Sequence, residues 1–87
     1  MEYFIIDVRE PEQYEAGHVN GAVNISADEL ASGTTKLDDI SKETPIIVYC
    51  LSGSRSNVAK EILRDMGYTN VTNGINKQFV EQKILKN

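Results

Sequence analysis

Cys50 is the only cysteine in the chain, and Leu51-Ser52-Gly53-Ser54-Arg55-Ser56 follows it directly. A thiolate is a strong nucleophile, and a thiol ionises more readily when N–H groups or a cation face it. Small polar residues around a glycine let the backbone turn tightly, so that successive N–H groups converge on one anion. Cys50 is therefore the candidate nucleophile. Leu51, Ser52, Gly53, Ser54, Arg55 and Ser56 are the candidate cradle for a substrate anion bonded to its sulfur. Arg55 can pair with a doubly charged donor and favour the thiolate. Arg9, at the end of an upstream apolar run, can face the same pocket. Each residue also has a plainer reading. A lone cysteine is often a small buried hydrophobe, and Gly53 can be an ordinary turn glycine. The serines can cap a helix, and at least one of them is expected to do so. Arg9 can form a salt bridge with a neighbouring acid, and Asp7 reads as structural.

The elements around these residues must hold them in place. Ile46-Ile47-Val48-Tyr49 is an apolar, β-branched run with one aromatic, the pattern of a buried strand. It delivers Cys50 to the start of a helix, among unpaired N–H groups at the positive end of the helix dipole. In that helix Val58, Ile62 and Met66 are spaced by four, with Ala59 and Leu63 on the same face. Ser54 or Ser56 can cap its start and Gly67 can close its end. Upstream, Tyr3–Val8 reads as a strand covered on both faces. Pro11 and Glu12 suit a short helix through Glu15, stopped by Gly17. His18–Gly21 turns into a strand over Ala22–Ile25. A helix begins at Ser26 or Ala27 and breaks at Ser32–Thr35, and Leu37 and Ile40 suggest one more helical turn before Pro45. Val71-Thr72 marks a last strand, Asn73-Gly74 a turn, and Ile75–Lys86 a final helix that frays at its end. Tyr14, Val58, Ile62, Leu63 and Met66 are expected in the core, and Asp38-Asp39 at the solvated surface.

Alternating strands and helices predict a parallel sheet with helices on both faces. Ligands bind beyond the carboxyl ends of such strands. Asp7, Arg9 and Cys50 all fall at those ends, so one site can use all three.

The 87 residues suit one domain spanning 1–87. A net charge of −4 argues against nucleic acid and anionic membranes as partners. It also requires any anion pocket to be locally positive. One cysteine allows no internal disulfide and no cysteine-based metal cage. Without a charged-then-apolar leader or a long apolar span, the expected compartment is cytoplasmic, or periplasmic if a signal peptide has been removed.

Two motifs resemble the rhodanese-type sulfurtransferase family. Asp7-Val8-Arg9-Glu10-Pro11-Glu12-Gln13-Tyr14-Glu15-Ala16-Gly17-His18-Val19-Asn20-Gly21-Ala22-Val23-Asn24-Ile25 is similar to its D-V-R…E-Y…G-H-I-x-G-A-x-N-I signature. Val48-Tyr49-Cys50-Leu51-Ser52-Gly53-Ser54-Arg55-Ser56 is similar to its catalytic loop and following helix start. Met66-Gly67-Tyr68-Thr69-Asn70-Val71 resembles the link into its last strand, and the whole looks most like the small phage-shock members. Two features depart from the family. The strand and helix that usually precede D-V-R are missing, and Asn73-Gly74-Ile75 stands where Gly-Gly and a Trp are common.

The resemblance implies a three-layer α/β fold with a mostly parallel, four-stranded sheet. It implies sulfane-sulfur transfer from thiosulfate or a similar small anionic donor to cyanide or a thiol, through a Cys50 persulfide. No metal and no organic cofactor are expected, and His18 would hold its turn rather than pair with Cys50. A monomer is expected, and a protein sulfur acceptor is a further possible partner. A non-enzymatic sulfur-carrier or partner-binding module is the alternative reading. A Cys-based phosphatase or arsenate reductase is a weaker one, because only four residues separate Cys50 from Arg55 and a tetrahedral oxyanion needs a longer loop.

Overall fold

The computed structural model describes residues 2–85. Strands and helices alternate: β1 (Phe4–Asp7), α1 (Pro11–Ala16), β2 (Val23–Asn24), α2 (Ala27–Ser32), β3 (Ile46–Cys50), α3 (Ser54–Asp65), β4 (Val71–Asn76) and α4 (Lys77–Phe79). The chain then makes a π-helical turn over Val80–Ile84. The four strands form one sheet in the order β2-β1-β3-β4, and each neighbouring pair is parallel. This is the α/β architecture expected from the alternation.

β3 explains the layering. All its residues are buried, as a central strand covered on both faces requires. Ile46, Val48 and Cys50 face a core shared with Leu30 of α2 and Ala59 and Leu63 of α3. Ile47 and Tyr49 face a second core with Val19 and Val80, flanked by Tyr14 of α1. The period-two alternation of a strand thus sends Cys50 to the α2/α3 side and Tyr49 to the other.

Several local expectations are corrected. α3 buries Ser56, Ala59 and Leu63, with Ile62 packed at the margin, whereas Val58 is 53% and Met66 38% exposed. The buried stripe lies about a third of a turn from Val58, because Ser56 is drawn inward by polar partners. Neither Ser54 nor Ser56 caps α3. Its N-cap is Gly53, in the left-handed conformation at φ 98°, with no side-chain cap. Gly67 does close the far end, at φ 102°.

β4 runs straight through Asn73-Gly74 rather than turning there. Val48 pairs with Asn73 but Tyr49 pairs with Ile75, so Gly74 is the extra residue of a bulge. A Cβ on Gly74 would lie 2.5 Å from Val80 Cγ2 and 2.9 Å from Ile47 Cγ2, so only glycine fits. α4 consequently starts at Lys77, not Ile75, and Asn76 caps it by accepting the Phe79 N–H at 2.8 Å. The expected end of this helix at Lys86 lies outside the described residues. β2 is only Val23–Asn24, shorter than Ala22–Ile25. Leu37 and Ile40 sit in hydrogen-bonded turns rather than a helix. No helix among the described residues is long and apolar enough to cross a membrane.

Candidate active site

Cys50 ends β3 at the carboxyl edge of the sheet, 3% exposed. The chain leaves the strand through Leu51 and Ser52 and re-enters helix at Ser54. The left-handed Gly53 folds this loop back over the strand end. As a result the Gly53 N–H donates to Cys50 Sγ at 3.1 Å and the Ser56 N–H at 3.4 Å. Both amides belong to the start of a helix, where N–H groups lack partners within it. The Ser56 hydroxyl also stands 3.4 Å from the sulfur. It donates to Asn73 Oδ1 at 2.6 Å. The hydroxyl has one proton, and the Asn73 oxygen can only accept. The thiol form of Cys50 therefore has its own proton to offer Ser56, and an ionised Cys50 can draw the hydroxyl toward itself.

Burial pushes the Cys50 thiol up. The Ser56 hydroxyl and the N–H groups of Ser56, Ser52 and Gly53 outweigh it, and the thiol ionises below the ordinary value of 9.0. The groups that lower it are all hydrogen-bond donors, not an arginine.

A cavity of about 280 Å³ opens over the sulfur, lined by Arg9, Cys50, Leu51, Ser52, Ser54 and Arg55. The structure thus brings the expected site residues together, but in different roles. Gly53 and Ser56 touch the sulfur. Leu51, Ser52 and Ser54 form the wall, and the Ser52 N–H also favours the thiolate. Arg55 extends over the surface and meets Glu10 Oε2 at 3.6 Å. It also lines a second cavity of similar size beside Val8, Glu10, Ala27, Asp28 and Val58. Arg55 is therefore the partition between the two cavities.

Arg9 behaves differently. Its side chain is buried against Asp7, with Nη2 donating to Asp7 Oδ2 and to the Gly17 carbonyl, each at 2.6 Å, and Nε donating to both Asp7 oxygens. The hydrogen bond to Asp7 raises the guanidinium pKa, although burial works against it. Tyr49 donates to Asp7 Oδ2 at 2.8 Å and accepts the Val19 N–H at 3.0 Å. Burial is the main reason its phenol is pushed well above its usual range. Asp7 is the structural centre of this network, as expected. His18 stacks on the Tyr14 ring at 3.8 Å. Its Nδ1 lies 2.8 Å from the Tyr14 carbonyl, which can only accept, so Nδ1 carries the proton. It holds the turn and stays away from Cys50.

This geometry matches a known family. The model of the rhodanese-like domain matches residues 1–76. The chain belongs to the rhodanese-like domain family. It is 49% identical over 69 residues, 78% of the chain, to the thiosulfate sulfurtransferase PspE of Escherichia coli strain K12, and spans 64% of that protein's length. A solved rhodanese with anions from E. coli superposes with a TM-score of 0.79 at 40% identity, covering 90% of this chain and 91% of that one. The human single-domain sulfurtransferase TSTD1 gives 0.74 at 28% identity, covering 93% and 83%.

Three residues of this rhodanese-like site carry no clear signal in the sequence. Tyr49 reads simply as a strand aromatic, yet its hydroxyl ties β3 to Asp7. Glu10 stands just ahead of α1 as its N-cap, yet it reaches Arg55. Asn73 reads as half of an Asn-Gly turn, yet its side chain touches the Cys50 loop. The one hint at Asn73 is its position, since it falls where the family pattern is broken.

Proposed function

We propose that this rhodanese-like chain is a sulfurtransferase that carries sulfane sulfur on Cys50. The Cys50 thiolate attacks the outer sulfur of thiosulfate. A new S–S bond forms, the old one breaks, and its electron pair leaves with sulfite. Cyanide or a thiolate then attacks the terminal sulfur of the persulfide, and Cys50 departs as the thiolate it was at the start. Covalent catalysis of this kind splits one transfer into two displacements. The Gly53 and Ser56 N–H groups stabilise sulfur anions as an oxyanion hole stabilises oxygen. One observation carries the reading: a sulfur with a lowered pKa, facing two helix-start amides under an open cavity of about 280 Å³. The similarity to PspE, named a thiosulfate sulfurtransferase, supports the choice of donor.

Incubation with thiosulfate should add the mass of one sulfur atom to the intact protein, and cyanide should remove it. Cys50→Ser should abolish both the adduct and thiocyanate formation while leaving the fold intact. An unmodified mass after exposure to several sulfane donors, or turnover surviving in Cys50→Ser, would end this reading.

A second reading is a sulfur carrier loaded by a protein partner. It is favoured by the state of the two arginines at the cavity, each of which faces a carboxylate of this chain. A carrier would form the persulfide from its partner but turn over poorly with free thiosulfate, so steady-state rates with thiosulfate separate the two.

A further inference from the structure

Asn73 is bound to the sulfur cradle at two points. Its Nδ2 donates to the Gly53 carbonyl at 3.1 Å, and its Oδ1 accepts from the Ser56 hydroxyl at 2.6 Å. Gly53 and Ser56 both donate their N–H groups to Cys50 Sγ. We propose that Asn73 is the positioning residue of this cradle: a single side-chain amide, presented by the β4 bulge, sets the spacing of the two amides that receive the sulfur. This rests on the proposed role of Cys50 as the sulfur-carrying nucleophile, and it names the residue that prepares that nucleophile.

The bulge is built to aim Asn73. The missing side chain of Gly74 lets β4 lie against Val80 and Ile47. Ile75 then adopts φ 72°, a conformation that is costly for a β-branched residue and persists only when its surroundings enforce it. The Ile75 N–H returns to Asn73 Oδ1 at 2.9 Å, giving that oxygen a second donor. The Ile75 side chain rests over Gly53, with Cγ2 at 3.5 Å from where a Cβ would stand. Strand β4 therefore grips the loop on both sides of Gly53, by an amide and by an aliphatic contact. Among the described residues the hydrogen bonds to the sulfur come from Gly53 and Ser56 rather than from β4, so Asn73 acts through those two residues.

The test uses the single cysteine, whose alkylation by iodoacetamide can be followed against pH without any sulfur donor. Asn73→Asp keeps the size and the acceptor oxygen. It replaces the donor to Gly53 with an oxygen facing that carbonyl, and it adds a negative charge near the thiolate. Its alkylation midpoint should rise by about one pH unit, and that of Asn73→Ala by about half a unit. Val71→Ala, on the same strand but away from the loop, should lower stability and leave the midpoint in place. A midpoint unchanged or lowered in Asn73→Asp would overturn the proposal. So would an equal rise in Val71→Ala. In the unaltered protein, the Asn73 side-chain amide signals in NMR should titrate with the same midpoint as alkylation, and signals flat across that range would overturn it even if the variants fail to fold. Alkylation proceeds whether or not sulfur is transferred, so this test and the thiosulfate test fail independently.

Discussion

Two arginines line the Cys50 cavity, and they are not equivalent. The Arg9 side chain is 10% exposed and Asp7 is fully buried, with 2.6 Å between them. Arg55 is 57% exposed and its partner Glu10 58%, with 3.6 Å between them. The first pair is desolvated, forked and tied to Gly17, Tyr49 and the backbone, so removing either member strands a charge in the interior. The second sits in water and contributes well under ~1 kcal/mol. An arginine at a pocket rim is therefore part of the fold or available to a ligand according to how buried its carboxylate is. Nearness to the reactive sulfur does not decide it.

Breaking the buried pair should give the largest effect. Asp7→Asn leaves the Arg9 charge uncompensated and should cost about 3–5 kcal/mol of stability in urea unfolding. A loss below about 1 kcal/mol would erase the contrast between the two arginines.

The thiol itself sharpens the comparison next. Alkylation of Cys50 should rise about tenfold per pH unit and level off below 9.0. Arg55→Ala should leave that midpoint in place, because donors within the loop lower it. A clear upward move in Arg55→Ala would return a charge role to the arginine. Folding lowers the thiol's pKa, so its contribution to stability is present above the ordinary value and is lost as pH falls through the folded one. Cys50→Ser should flatten that part of the stability–pH curve.

Arg55→Ala should keep stability within ~0.5 kcal/mol of the parent. It should raise KM for thiosulfate about tenfold, or ~1.4 kcal/mol, and less for a neutral sulfur donor. Equal losses with both donors would argue against charge pairing. The smallest effect belongs to Glu10→Gln, which releases Arg55 and should lower KM for thiosulfate about two- to threefold. An increase in KM would mean that Glu10 orients Arg55 rather than competing for it.

Much of this is legible along the chain. The β-branched run before Cys50, the small residues after it and the alternation of strand and helix are local patterns, and local patterns dictate element type. The resemblance of residues 7–25 and 48–56 to the rhodanese signature adds the family. The features that local patterns misplace all depend on what lies across from a residue. Val58 reads as core because its spacing matches Ile62 and Met66, but the face α3 buries is chosen by Ser56 seeking Cys50 and Asn73. Asn73-Gly74 reads as a turn, because nothing adjacent in sequence announces a bulge against Tyr49.

The sequence by itself determined that a lone thiol would be delivered by a buried strand to the mouth of a helix, since hydrophobic period and glycine placement are properties of neighbours in the chain. Tertiary structure alone decided which donors reach the sulfur, which arginine is locked in an ion pair and which residue of β4 braces the loop. Those outcomes depend on distances between residues far apart in the chain, such as the 17 positions separating Ser56 from Asn73. Only packing of the sheet and helices brings such residues within hydrogen-bond range.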